Sequence, residues 1–439
     1  MSENTISYYD KFKEKSIDFK WILFLVGFFS FCNGIFIKIG AFNIRFSDFF
    51  FYAFPVLIFL YFKKVRIKRT EFFLLFLIFT LFMLLVLRGI FPLVTNATYD
   101  SYFVKFLFNR ILWIPIYALF YLVFRGKLLF YFSVGLFVGL FFNSVFVLYE
   151  YTVIILGKIP DYNMLSSMGV YFDEKKMDIF NQGFIRPTGL MMDPNYTAGY
   201  SGIGILFAEK LKLKSKHKYR FIIGQTFLLI VMFLLLSRTA IFSFLIVVFV
   251  FFLLVLISDR NEVLKSFEVI AWRPLVLLIC FFILISIVAS GIGIDVWQLL
   301  GDRFSSNDSS TATRVSYIDD YFSKVPFLLI LFGFGTSRAG VGIDNYVNNY
   351  TISDEVWTPE SSILTMMIEQ GVLFILLYFI LSVIFFYRLY KIDKYYAAVF
   401  MYVNLIGISY NFLGDRLFWF MYIILILTIP TYNKNENTY

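Results

Sequence analysis

Residues 221–258 read FIIGQTFLLIVMFLLLSRTAIFSFLIVVFVFFLLVLIS, a run of 38 positions whose only charge is Arg238. As one α-helix it would be about 57 Å long at about 1.5 Å per residue. That is nearly twice the roughly 30 Å hydrocarbon core of a bilayer. A single crossing cannot absorb it. Two helices joined by a tight turn at Ser237-Arg238, the only charged break, can.

The rest of the chain is built in the same way. Of its 439 residues 60% are hydrophobic and 16% charged, with a mean hydropathy of +0.77. A soluble domain is about 45–50% apolar and about 25% charged. The 60 Phe, 30 Tyr and 6 Trp are more aromatic side chains than a water-exposed globule hides. A soluble enzyme, a disordered protein and a coiled coil are excluded. The expected fold is an all-α polytopic membrane protein, one transmembrane domain over residues 1–439. With about 20 apolar residues per crossing, about 12 spans fall near 20–37, 46–62, 71–88, 102–124, 128–156, 194–208, 221–236, 239–258, 274–291, 362–387, 395–411 and 416–431.

With both termini cytoplasmic, the inner segments hold 24 of the 39 Lys and Arg, including Lys210, Lys212, Lys214, Lys216, Lys218 and Arg220. That is the bias expected of loops that stay inside. The net charge of +9 is therefore a topology signal. No basic stretch has the aromatic interleaving or the fold signature of a nucleic-acid reader. The first apolar stretch follows a charged tail, lacks a small-residue cleavage site, and reads as a retained anchor. Cys32 and Cys280 lie in apolar runs and give neither a disulfide framework nor metal spacing. His217 is the only histidine, which removes most zinc and His-based catalytic sites. Two external loops are long: the third, 157–193, and the fifth, 292–358, between spans 9 and 10. Loops of that length in a compact protein are usually functional.

Four groups of residues stand out at the outer face. The first is Arg186-Pro-Thr-Gly-Leu-Met-Met-Asp193-Pro194-Asn195. Asp193 suits a helix N-cap and Pro194 the first helical position, so the span opens with its positive dipole end outward, an anion site beside Arg186 and Asn195. The plainer reading is a cap and a surface arginine. The second is Arg238, which faces the bundle interior or snorkels to the interface. The third places Arg314, Tyr317 and Tyr321 on one helical face, ahead of Pro326, Gly333-Phe-Gly335 and Arg338. Its plainer reading is an amphipathic helix lying on the membrane.

The fourth group is Thr358-Pro359-Glu360-Ser361. Thr358 is the expected N-cap and Pro359 the first turn. Glu360 is then either an acid complementing the helix dipole or a general base. Two to three turns deeper, Glu369-Gln370-Gly371 needs a basic partner in the bundle. Lys105 and Arg110 of the fourth span are the candidates. Arg186, Arg238, Arg314 and two helix N-termini make an array suited to pyrophosphate, because guanidinium forks bind phosphate oxygens in pairs. Asp319-Asp320 is the only adjacent acidic pair in the fifth loop and too few ligands for Mg²⁺ or Mn²⁺. The site therefore reads as metal-independent, with no cofactor.

In order and spacing, residues 180–375 resemble the O-antigen polymerase/ligase superfamily of bacterial envelope enzymes. The matching pieces are Arg186, Gly189 and Pro194-Asn195; Ser237-Arg238; Arg314, Tyr317 or Tyr321, Pro326 and Gly333-Phe-Gly335; and Glu369-Gln-Gly371. Superfamily ligases carry a His where this chain has Thr358-Pro-Glu360-Ser361, so the resemblance points to a Wzy-type polysaccharide polymerase. It implies that lipid-linked repeat units of O-antigen, capsule or exopolysaccharide are joined on the outer face of the inner membrane. The growing chain, held on undecaprenyl pyrophosphate, is attacked at its anomeric carbon by a hydroxyl of the next lipid-linked oligosaccharide. Arg186, Arg238, Arg314 and Asn195 would then hold the leaving pyrophosphate. Glu360 and Arg314 would serve catalysis, and Tyr317, Tyr321 and Tyr346 would stack on sugar rings. A chain-length regulator and a flippase are the implied partners besides the lipid bilayer. The competing readings are a ligase of the same superfamily, a lipid-linked oligosaccharide flippase or transporter, and a non-catalytic assembly protein. The long fifth loop and the missing internal repeat count against the transporter.

Overall fold

The computed structural model describes residues 20–39, 42–61, 67–93, 103–155, 170–172, 187–191, 193–235, 237–257, 318–319, 321–340, 361–410 and 415–429, with Lys158, Pro160 and Ile283. The chain is mostly helical. Among the described residues three helices are long and apolar enough to cross a membrane: Glu71–Ile90, Leu128–Ile154 and Val372–Ile392. The chain divides into two compact units. Unit 1 is Met1–Arg66 with Leu119–Pro274, and unit 2 is Ile67–Ala118 with Leu275–Tyr439. Apart from Ile283, the expected span at 274–291 lies outside the described residues, as does most of the loop 292–358.

Unit 1 opens with α1, Lys20–Phe29. The span expected over 20–37 ends there. Ile35–Ile39 forms β1, which pairs antiparallel with β2, Phe42–Arg45, and with β3, Val170–Phe172, in the order β2-β1-β3. Ile37 stands opposite Ile44 on one side and Val170 on the other. Asn33-Gly34 interrupts the helical run, and the β-branched residues alternating in Ile-Phe-Ile-Lys-Ile favour a pleated strand. The all-α expectation is corrected by this small sheet, and β3 lies within the stretch expected as external loop 3. After α2, Phe46–Tyr61, the chain re-enters through α4, Trp113–Ile155, whose first residues, up to Ala118, belong to unit 2. This helix breaks at Arg125 (φ 46°, ψ −134°), inside the turn expected at Arg125–Lys127.

Beyond the break α4 packs closely on α1, using small residues. A Cβ at Gly135 would collide with the Phe24 carbonyl, and one at Gly27 would lie 2.8 Å from the Leu136 nitrogen. Gly135 and Gly139 have the spacing by which membrane helices bring their backbones together. Next come α5, Pro194–Lys214, α6, Lys218–Leu234, and α7, Arg238–Ile257. The run 221–258 is two helices, broken beside Ser237. The span expected over 194–208 continues past Lys210 and Lys212 to Lys214. Its polar end is held by a buried ion pair, Glu209 to Lys212 at 2.6 Å, and by Gln225 Nε2 donating to Glu209 at 2.8 Å.

Unit 2 begins with α3, Arg69–Ile90, its start closed by Lys68 N donating to Glu71 at 2.8 Å. The chain returns at residues 103–111, where Leu107–Ile111 is a π-helical turn. Then follow α8, Phe327–Phe332, α9, Ser362–Gln370, α10, Val372–Ile392, α11, Lys394–Ser409, and α12, Arg416–Thr428. Asp393 caps α11 and Asp415 caps α12. The span expected over 362–387 is not one helix. Gly371, at φ 88° and ψ 167°, divides it into α9 and α10.

Candidate functional site

In unit 1 the helix starts that carry Asn195 and Arg238 fall at one end. The connections α5–α6 and α6–α7 are three residues each, and α5 packs on both α6 and α7. Short links force antiparallel neighbours, so the N-termini of α5 and α7 share an end. At the first, Asp193 caps the helix by accepting from Asn195 N at 2.6 Å, and Pro194 fills the first turn, as expected. At the second, Ser237 is buried and half-buried Arg238 is the first residue of α7. A cation at that position adds to the positive end of the helix dipole instead of offsetting it. Both features favour an anion at this end.

A clamp that the sequence did not announce fixes the approach to α5. Glu150, fully buried on α4, accepts from Thr188 N and Gly189 N, each at 2.8 Å. Two turns earlier on the same helix face, Asn143 Oδ1 accepts from Leu190 N at 2.6 Å. Thr197 Oγ1 donates back to Thr188 O at 2.6 Å, and Gly34 N donates to Leu190 O at 3.1 Å. Gly189 sits at φ 64°, with Asn143 and Val147 filling the space a side chain would need. Glycine in the Arg186-Pro-Thr-Gly motif is thus a backbone requirement. Glu150 was legible as an acid inside an apolar span, which demands a partner. Its hydrogen-bond geometry gives it main-chain donors, which leave no mark in the composition of the chain. Glu150→Ala leaves two buried N–H donors unserved and is expected to cost about 1–3 kcal/mol. Glu150→Gln retains an acceptor and should cost less. Equal melting of the Ala and Gln variants in detergent would show that the clamp does not hold the turn.

Unit 2 shows what the Gly-x-Gly and Glu-x-Gly motifs do. Phe334 N donates to Ile368 O at 2.9 Å and Gly335 N to Glu369 O at 2.8 Å, so the two motifs bind each other through main chain. Gly333 (φ 72°) and Gly371 (φ 88°) lie where the backbones touch. Arg88, which sequence reasoning missed, reaches across this junction. Its guanidinium donates to the carbonyls of Phe332, Gly333 (3.0 Å) and Glu369 (3.5 Å). It thereby caps the C-terminal ends of α8 and α9, where positive charge is favourable. Arg338 is 2% exposed and donates to Gly89 O at 3.0 Å and Thr336 O at 3.2 Å. The buried Glu369 carboxyl accepts from the N–H groups of Ser337 and Ala339, with the charges of Arg110 and Arg338 nearby. Of the two bases expected to serve Glu369, Arg110 is the one beside it, and Lys105 is exposed.

Two expectations change. Tyr321 is not a sugar platform: its ring is 1% exposed and packs with Val325, Phe334, Ala339, Leu364 and Ile368. Burial also pushes its phenol well above the ordinary range. The N-cap before the tenth span is Ser361, not Thr358. Ser361 Oγ accepts from Leu364 N at 3.2 Å while donating to Ile408 O, so the helix starts at Ser362 and Pro359 precedes it. Arg186, Arg314, Tyr317, Tyr346 and Glu360 lie outside the described residues. No protein-family model matches the chain, and no curated protein matches it significantly.

Proposed function

We propose that this chain is a Wzy-type polysaccharide polymerase of about 12 spans, with both termini cytoplasmic, in the bacterial inner membrane. It transfers a growing glycan from undecaprenyl pyrophosphate to a hydroxyl of the next lipid-linked repeat. The C–O bond to the pyrophosphate breaks, the new glycosidic bond forms, and the acceptor proton passes to a base. Arg186, Arg238, Arg314 and Asn195 engage the pyrophosphate and stabilise the charge that grows on its bridging oxygen. Glu360 takes the proton, and Tyr317 and Tyr346 stack on sugar rings. The reaction needs no metal in this reading.

The observation that carries it is the end of unit 1, where two helix N-termini coincide with Arg238 in a first-turn position. The ordered motifs from Arg186 to Gly371 support it further. The buried Glu369 carboxyl, with the charge of Arg110 near it, favours the second reading, a flippase or transporter, because intramembrane charges often line transport paths.

Alanine at Arg186, Arg238 or Arg314 should abolish long-chain polymer while the protein stays in the membrane, and single repeat units should accumulate. Lysine should rescue poorly, because the paired guanidinium contact is lost. Normal polymer length in all three alanine variants would remove the pyrophosphate clamp. Purified protein that moves lipid-linked repeats across vesicles without joining them would favour the transporter.

A further inference from the structure

We propose that the hairpin joining α5 and α6 is a docking surface for the anionic phospholipid headgroups of the leaflet it adjoins. Residues 210–220 read KLKLKSKHKYR, with six Lys and Arg, and no Asp or Glu occurs between Lys210 and Ser258. The one acid at the base of the hairpin, Glu209, is already engaged. Its carboxylate meets Lys212 Nζ at 2.6 Å and accepts from Gln225 Nε2 at 2.8 Å, and all three side chains are buried. Gln225 Nε2 also donates to Ile205 O at 3.1 Å, which ties α6 to the last turns of α5. Lys216, His217, Lys218 and Arg220 stand outside this knot, all exposed. The hairpin has no acid left to offset them.

A loop that stays inside needs positive charge, but it needs no order. This one is ordered. Ser215 Oγ accepts from His217 N at 3.1 Å, and Arg220 N donates to His217 O at 3.2 Å. The His217 ring packs edge-on against Tyr219 at 5.9 Å. The Arg220 guanidinium lies over the same ring at 5.8 Å, and its Nε donates to the Tyr219 hydroxyl at 3.4 Å. The cations are thus fixed around one aromatic side chain.

That side chain still faces outward. Tyr219 is 55% exposed, and Leu213, on the other arm of the hairpin, is 52% exposed. Apolar groups interleaved with cations suit a lipid surface, where a leucine and a tyrosine ring enter the headgroup boundary while Lys and Arg meet phosphates. A purely electrostatic partner makes no use of the leucine and the ring. Each Lys or Arg held near an anionic surface contributes about fivefold to binding, so Lys216, Lys218 and Arg220 together give about a hundredfold preference over neutral lipid.

The inference does not depend on turnover, so binding separates it from the polymerase reading. The full chain in neutral detergent is titrated with fluorescent phosphatidylglycerol or fluorescent phosphatidylcholine, and bound lipid is read by anisotropy. Phosphatidylglycerol should bind at least tenfold more tightly, and high salt should erase most of that preference. Lys216→Gln, Lys218→Gln and Arg220→Gln combined should weaken it at least tenfold. Arg388→Gln, Lys391→Gln and Lys394→Gln combined remove the same charge at the α10–α11 turn and should change it less than twofold. Tyr219→Ala, which keeps every charge, should weaken it at least threefold. No preference for phosphatidylglycerol in the parent protein overturns the proposal without any variant. Equal losses in the two triple variants would reduce the effect to bulk charge and overturn it as well. Unchanged binding in Tyr219→Ala, with a polyglutamate peptide displacing the lipid, would identify an acidic protein as the partner instead.

Discussion

Gly371→Ala is expected to destabilise the chain by about 3–5 kcal/mol, enough to remove most folded protein from a marginally stable membrane bundle. Two separate costs add. The backbone at φ 88° and ψ 167° is a conformation that L side chains rarely adopt. A Cβ built there would also strike the Leu331 carbonyl and lie 2.6 Å from the Phe332 carbonyl carbon, main-chain atoms that no rotamer change can move. Gly333→Ala carries the same two costs from the other side, with a Cβ 2.6 Å from Gln370 N. Gly407 supplies the control, because a Cβ there would meet nothing nearer than 3.8 Å and sits within α11. Gly407→Ala should be neutral or slightly stabilising, as helix propensity dictates. The measurement is thermal unfolding in detergent. If Gly371→Ala melts with Gly407→Ala, the two motifs do not cross as tightly as their geometry states.

That crossing also shows what the sequence can and cannot disclose. The Gly-x-Gly and Glu-x-Gly patterns are plain to see as patterns, and so is the break at Ser237-Arg238. What they bind is not, because each motif's partner is the main chain of the other, 30-odd residues away. Arg88 illustrates the limit. At the end of an apolar span it looks like an arginine snorkelling to the interface, and its three carbonyl acceptors leave no trace in composition. The Asp193 cap was legible because capping is local, confined to three adjacent residues. Hydropathy alone runs the first span on to residue 37, over the first part of the strand Ile35–Ile39, although the period-two alternation there is a strand signal. Tyr321 fits one helical face on paper, yet that face turns into the core formed with α9.

If Glu360 is the base of the proposed polymerase, Glu360→Gln is expected to slow polymerisation by two to four orders of magnitude, roughly 2.7–5.5 kcal/mol of transition-state stabilisation. The sequence allows two roles for this carboxylate, and the position of the helix cap separates them. An acid complements the helix dipole when it lies in the first turn. With Ser361 as the N-cap, Glu360 precedes the cap and is two positions ahead of the first helical residue, Ser362. The first-turn dipole role is thereby weakened. Glutamine keeps the shape and the hydrogen-bonding reach but cannot take a proton, so a base is lost while a merely structural acid is nearly replaced. If Glu360 only steadied the helix start, the change would cost some tenths of a kcal/mol and polymer length would barely move. The assay is purified protein with lipid-linked repeat as sole substrate, read as polymer length. Glu360→His adds a second reading, since it restores the residue type that superfamily ligases carry at this place. Retained polymerisation in the His variant with loss in the Gln variant identifies proton transfer as the role. Parent-level activity in Glu360→Gln would leave the acceptor hydroxyl unassisted and place the whole rate enhancement on the arginines.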